Sequence, residues 1–266
     1  MPPVPFEPEA SQIAVAFLAS LLAGMATGLG SLAILTVQKL SRTLEDSLLS
    51  IAAGIMLAAS IFSLLLPGLE HATRRFDSEV AAVVVVTAGV MLGAVLLWSL
   101  DRWVPHEHLH MGREGPEGVR IKRIWLFVFA ITLHNLPEGT AVGVAMMQQD
   151  LAAGMSLAVG IGLQNIPEGL AVSVALLSVG YSRRMALGVG VASGLVEPVG
   201  GLFGALLVWL AAPLLPLFLG LAAGAMLYVI TDEIIPETHR RADSSHITFS
   251  LLGGFVVMMF LDVLLG

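Results

Sequence analysis

Seven polar side chains, set in the middle of apolar segments, could do chemistry in this chain. His134, Asn135 and Glu138 stand in "TLHNLPEGTAV" (132–142), and Gln164, Asn165 and Glu168 in "GLQNIPEGLAV" (162–172). In each trio the first and last residues are four apart and the asparagine is three from its glutamate. On a helix, that spacing puts each trio on one face, one turn apart. Glu197, in "ASGLVEPVGGLFGA", brings a third carboxylate, again beside a proline. Three acids in one membrane layer cannot all be ionised without a compensating cation. A divalent metal would answer that difficulty and use the neutral donors too; its binding would release protons and weaken as pH falls. Imidazole, amide oxygens and carboxylates together suit a borderline transition metal better than Ca²⁺ or Mg²⁺. The chain has no cysteine, which excludes thiolate sites and disulfides and points to a metal held loosely enough to be released.

These residues need elements that hold them inside a membrane. Of the 266 residues 56% are hydrophobic and 12% charged, and the mean hydropathy is +0.88, too few charges to coat a soluble core. A membrane helix takes about 20 apolar residues. Eight spans are expected, at about 12–38, 44–67, 78–104, 124–147, 151–179, 184–212, 214–235 and 247–265, in one all-α transmembrane domain over 1–266. The two trios then fall near the centres of spans four and five. Ionisable groups at that depth cost at least a few kcal/mol and face a cavity or a partner. Pro137 and Pro167 deprive the carbonyls of Leu133 and Leu163 of helical partners, and broken helices often mark ion sites. Gly139 and Gly169 allow close helix approach.

The bases orient the eight spans. Lys39, Arg42, Arg102, Arg113, Arg120, Lys122, Arg123, Arg183, Arg184, Arg240 and Arg241 all fall on one side, leaving Arg74 and Arg75 on the other. By the positive-inside rule both termini are extracytoplasmic and the third loop, 105–123, is cytoplasmic, with Trp103 and Trp125 as interfacial anchors. The expected setting is the plasma membrane, in bacterial terms the cell inner membrane, crossed many times. The N-terminal "MPPVPFEPEASQ" reads as a short tail, not as a cleaved signal. A net charge of −7 argues against a nucleic-acid partner. Membrane lipid and divalent metal ions are the expected partners, and the small-residue faces "GLGSLA" and "GGLFGA" permit a homodimer.

On "HNLPEG" in span four and "QNIPEG" in span five, the chain resembles the ZIP (Zrt/Irt-like) family of divalent-metal transporters, and most of all its prokaryotic GufA-like branch. The likeness extends over essentially the whole chain. It implies an inverted repeat of spans one to three and six to eight around the four–five pair. It also implies a binuclear centre in the transport path, in which one metal takes His134, Glu138, Gln164 and Glu168, with Met56 as a thioether neighbour. The other takes Asn135, Glu138, Asn165, Glu168 and Glu197, so that Glu138 and Glu168 bridge. Many relatives carry histidine where Gln164 stands, and some carry aspartate at Asn165.

Secondary polar groups lie along the expected path. His106, His108 and His110 of "VPHEHLHMGREGPEG" either collect metal on the cytoplasmic side or form a polar loop without specific affinity. Asp232, Glu233 and His239 either line the cytoplasmic exit or form a solvated helix end. Asp262 interrupts the apolar run of span eight near its outer end, where it would draw cations into the mouth. The functional expectation is a transporter importing Zn²⁺, or a similar ion such as Cd²⁺, Fe²⁺, Mn²⁺ or Co²⁺, by alternating access, with metal as cargo and no resident cofactor. A metal-selective channel fits the same residues. An intramembrane metalloenzyme is the weaker alternative, because there is no H-E-x-x-H and the site has more ligands than an open catalytic zinc needs, so no enzyme is expected.

Overall fold

The computed structural model describes residues 10–36, 41–76, 78–103, 116–148, 151–239 and 244–265. Among these residues every regular element is helical. They are α1 (Ala10–Leu32), α2 (Arg42–Ala59), α3 (Leu66–Phe76), α4 (Glu79–Trp103), α5 (Pro116–Met146), α6 (Leu151–Ser178), α7 (Arg183–Gly194), α8 (Glu197–Leu210), α9 (Leu215–Val229), α10 (Ile235–His239) and α11 (Ser244–Leu265). A π-helical turn, Ser60–Leu65, joins α2 to α3, and another, Ile230–Ile234, joins α9 to α10. The eleven helices thus make eight rods: α1, α2–α3, α4, α5, α6, α7–α8, α9–α10 and α11.

Among the described residues, seven rods are long and apolar enough to cross a membrane. The eighth, α5, has 31 residues and is diluted by Arg120, Lys122, Arg123 and the polar trio it carries. Large apolar side chains such as Leu22 and Leu29 on α1, Val84 and Leu92 on α4, and Phe249 and Phe260 on α11 point outward and exposed. In water that surface would be costly; facing lipid tails it is not, and helices satisfy their own backbone there. This is an all-α, multi-pass membrane protein.

Rod ends differ from the hydropathy reading. The second rod runs on to Phe76 and the seventh to His239, each with a π turn inside it and a further α-helix after that turn. The fourth begins at Pro116, so the last part of the 105–123 segment is helical. The motif prolines also act differently from one another. Pro137 and Pro167 sit inside α5 and α6, which run through them without interruption. One lost backbone bond does not unwind a helix clamped by neighbours. Pro198 is different: it lies in the first turn of α8, just after the turn at Leu195–Val196 that separates α7 from α8.

The rods assemble around α5 and α6. Helix α8 packs along α5 and α1 along α6, while α1 also crosses α7 and α8; outside this group α4 pairs with α9 and α11 with α2. Contact is close where glycine removes the side chain. A methyl added at Gly139 would lie 2.0 Å from Glu197 O, and one at Gly169 would lie 1.9 Å from Thr27 O. Only hydrogen at these Cα atoms permits such approach.

Candidate functional site

The continuous helices α5 and α6 bring both trios to one interface, and the break before α8 delivers Glu197 to it. Glu138, Glu168 and Glu197 are 1%, 4% and 0% exposed, and His134, Asn135, Gln164 and Asn165 are buried with them. The site is therefore a buried polar cluster, and its contacts have to offset the loss of exposure to bulk water.

Amides knit the acids together. Gln164 Nε2 donates to Glu138 Oε1 at 2.6 Å and to Asn165 Oδ1 at 3.2 Å. Asn165 Nδ2 donates to Glu197 Oε1 at 2.6 Å and to Ala23 O at 2.8 Å. Asn135 Nδ2 donates to Ser193 O at 2.8 Å. That last bond follows from the break in the rod. Helix α7 ends at Gly194, so Ser193 O keeps only a long backbone bond from Val196 N at 3.4 Å, and the Asn135 amide supplies a closer donor.

These amides use up only part of the cluster. Glu138 Oε2, Glu168 Oε2, Glu197 Oε2, Asn135 Oδ1 and Gln164 Oε1 are buried without a hydrogen-bond partner. Buried oxygens are normally bonded, and each exception calls for an explanation. Five such atoms from three carboxylates and two carboxamides, beside an imidazole, are a donor set for a borderline divalent cation. Among the described residues no three His, Asp or Glu side chains gather closely enough to hold a metal by themselves. Amides are interleaved with the acids: Gln164 bonds to Glu138 and Asn165, and Asn165 bonds to Glu197.

The remaining expected residues fall elsewhere. Met56 is buried on α2, in an apolar cluster that also contains Ala141, Ile161 and Met226. Asp262 accepts from Ser63 Oγ at 2.7 Å and from Ser156 Oγ at 3.5 Å, which ties α11 to the first π turn and to α6. Asp232 lies exposed in the second π turn. His106, His108 and His110, and the side chains of Glu233 and His239, lie outside the described residues.

Ala23 and Ser193, which accept from the two asparagines, were not found by motif reading, since both act through backbone carbonyls. A signal for them did exist. "IAAGIML" (51–57) recurs as "LAAGAML" (221–227), at the same separation that relates Ala23 to Ser193.

Comparison with known proteins agrees with this geometry. The ZIP Zinc transporter family model matches residues 104–262. Zinc transporter ZIPB of Bordetella bronchiseptica is 46% identical over 241 residues, covering 91% of this chain and 78% of its own. Zinc transporter GufA of Myxococcus xanthus is 43% identical over 249 residues, covering 94% and 98%. The chain belongs to the ZIP family. More distant kinship reaches zinc transporter ZIP11 of Homo sapiens, 33% identical over 321 residues, covering 90% of this chain and 94% of that one. The ZIP match includes α5, α6 and α8, the three helices that build the polar cluster, and the fuller alignments bring in α1, which closes it.

Proposed function

We propose that this ZIP protein imports zinc into the cytoplasm through the cluster between α5, α6 and α8, as a carrier working by alternating access. As a member of a transporter family it is a transporter and not an enzyme. The observation that carries the reading is the set of five buried, unpartnered oxygens, offered by side chains on three packed helices. The same three helices hold His134, whose imidazole adds the nitrogen donor that favours zinc over harder ions. The resemblance of both motifs to the ZIP pattern implies a binuclear centre in which Glu138 and Glu168 bridge, with His134 and Gln164 one turn before them on the same helix faces. Met56 offers a thioether neighbour, Asp262 a carboxylate at the outer end, and Asp232, Glu233 and His239 an inner exit. Both termini lie outside in this reading, with the plasma membrane as the setting.

Gln164 Nε2 holds Glu138 Oε1 by a hydrogen bond, which commits that carboxylate oxygen to the amide. Turning the carboxamide over would release Glu138 Oε1 and present Gln164 Oε1 as a ligand. Metal binding is then coupled to a side-chain rearrangement at the α5–α6 seam, and a carrier can propagate such a change as the two helices shift.

The test is flux. Purified protein in proteoliposomes loaded with a zinc-sensitive dye should take up Zn²⁺ saturably. Glu138→Gln and Glu168→Gln, which keep side-chain shape, should each lower uptake by about tenfold or more, the loss expected when a charged ligand becomes a neutral one. Wild-type uptake in both variants would refute the site. Flux that fails to saturate would favour a channel.

A further inference from the structure

Several contacts that α1 makes with the α5–α6 pair are repeated by the α7–α8 rod, and the repeat singles out a buried group outside the seven. Asn135 Nδ2 donates to Ser193 O and Asn165 Nδ2 to Ala23 O, both at 2.8 Å. A methyl at Gly24 would lie 2.2 Å from Gly194 O, and one at Gly194 would lie 2.2 Å from Gly24 O. A methyl at Gly30 would strike Ile166 O, just as one at Gly200 would strike Leu136 O. Ala23 and Ser193, Gly24 and Gly194, and Gly30 and Gly200 stand at one constant separation in sequence. So α1 and the α7–α8 rod embrace the α5–α6 pair as two copies of one device. At the same separation, the copy of Glu197 is Thr27.

Thr27 is fully buried, and its hydroxyl has no hydrogen-bond partner. That is out of habit for this chain. Ser20, Ser31, Thr132 and Thr140 each give their hydroxyl to the carbonyl four residues back. For Thr27 that carbonyl is Ala23 O, and it accepts from Asn165 instead. In the copy, Glu197 Oε1 meets the Asn165 amide at 2.6 Å. The matching amide on Thr27's side is Asn135, whose Oδ1 is also buried and unpartnered. Threonine is two bonds shorter than glutamate and carries no charge, so two neutral oxygens, with Thr27 Oγ1 packed against Gly194 beside the carbonyl that Asn135 reaches, correspond to the carboxylate and amide opposite.

We propose that Thr27 is a specificity-determining residue of the transport site, its hydroxyl and Asn135 Oδ1 serving as paired neutral oxygen donors to the cation on the side away from Glu197. This rests on the cluster being the metal site. A neutral hydroxyl is a hard donor, so it weighs more for an oxygen-preferring ion than for a soft one.

The test is calorimetric titration of the purified full chain with Mn²⁺, Zn²⁺ and Cd²⁺, comparing wild type, Thr27→Val and Thr27→Ser, with Glu168→Ala in parallel. Thr27→Val keeps the shape and removes the oxygen. It should weaken Mn²⁺ binding by about fivefold, the worth of one polar contact, and leave Cd²⁺ within about twofold. Thr27→Ser should restore the wild-type ratio. The melting temperature of metal-free Thr27→Val should equal or exceed that of wild type, because no internal bond is lost. If Thr27→Val does not fold, Thr27→Ala gives the same reading. An unchanged Mn²⁺ to Cd²⁺ ratio, or an equal loss for all three ions, overturns the inference while Glu168→Ala still abolishes binding. Wild-type binding by Glu168→Ala overturns the site itself.

Discussion

Gln164 Nε2 is hydrogen-bonded to Glu138 Oε1 across the α5–α6 seam at 2.6 Å, both groups being buried. The helix positions that hold Gln164 and His134 are equivalent in the two motifs, yet only one carries an imidazole. The amide therefore performs a task that a second histidine would perform differently: it donates to an acid and keeps its own oxygen spare.

Gln164→His should make the site tighter and slower. The new imidazole adds a nitrogen ligand of the kind zinc prefers. The lost amide also frees Glu138 for metal. Zinc affinity by calorimetry should rise by about tenfold, roughly 1.4 kcal/mol, with a fall in maximal uptake as release becomes limiting. An unchanged affinity would mean that Gln164 does not face the metal.

The two asparagines should separate structure from function. Asn135→Ala leaves Ser193 O without its side-chain donor, and Asn165→Ala does the same to Ala23 O while also stripping Glu197 Oε1. Leaving a buried polar group unsatisfied costs about 1–3 kcal/mol, more where a charge is involved. Both variants should melt earlier in detergent, and Asn165→Ala should melt earlier than Asn135→Ala. Equal melting temperatures would mean that the Asn165–Glu197 contact adds nothing to stability.

What the sequence disclosed follows from how the membrane restricts its choices. Glu138, Glu168 and Glu197 were legible because a carboxylate in an apolar run has no cheap bland explanation, and the echo of N-x-P-E-G fixed their pairing. Helix count was legible for the same reason, with α5 the instructive case, since its motif and bases lower its hydropathy without stopping it from being helical. The prolines misled: Pro137 and Pro167 read as breaks, but α5 and α6 run through them as continuous helices, and the real break falls at Leu195–Val196. Thr27, Ala23 and Ser193 stayed hidden because two contribute backbone oxygens, which carry no side-chain signature. Thr27 became visible only through its correspondence with Glu197.

Zinc should stabilise the protein in proportion to its occupancy of this cluster. A ligand at about a hundred times its dissociation constant contributes about 2.7 kcal/mol to a folded state that binds it. In thermal melts, added Zn²⁺ should raise the transition of wild type by several degrees and a chelator should reverse it. Glu168→Ala should show no shift. A shift that survives in Glu168→Ala would place the stabilising metal elsewhere.

Close approach at the α5–α8 crossing gives the sharpest steric prediction. A methyl at Gly139 would overlap Glu197 O, C and Cα, all within 2.7 Å and all backbone, so no rotamer change can relieve it. Pushing α8 away would carry Glu197 out of the cluster. Overpacking of this kind typically costs about 1–3 kcal/mol, and here it acts on the site as well as on the fold. Gly253 on α11, where an added methyl meets nothing within 4 Å, is the control. Gly139→Ala should lower both melting temperature and zinc uptake, while Gly253→Ala leaves both unchanged. If Gly139→Ala folded and transported like wild type, the tight α5–α8 contact would not be a feature of the working protein.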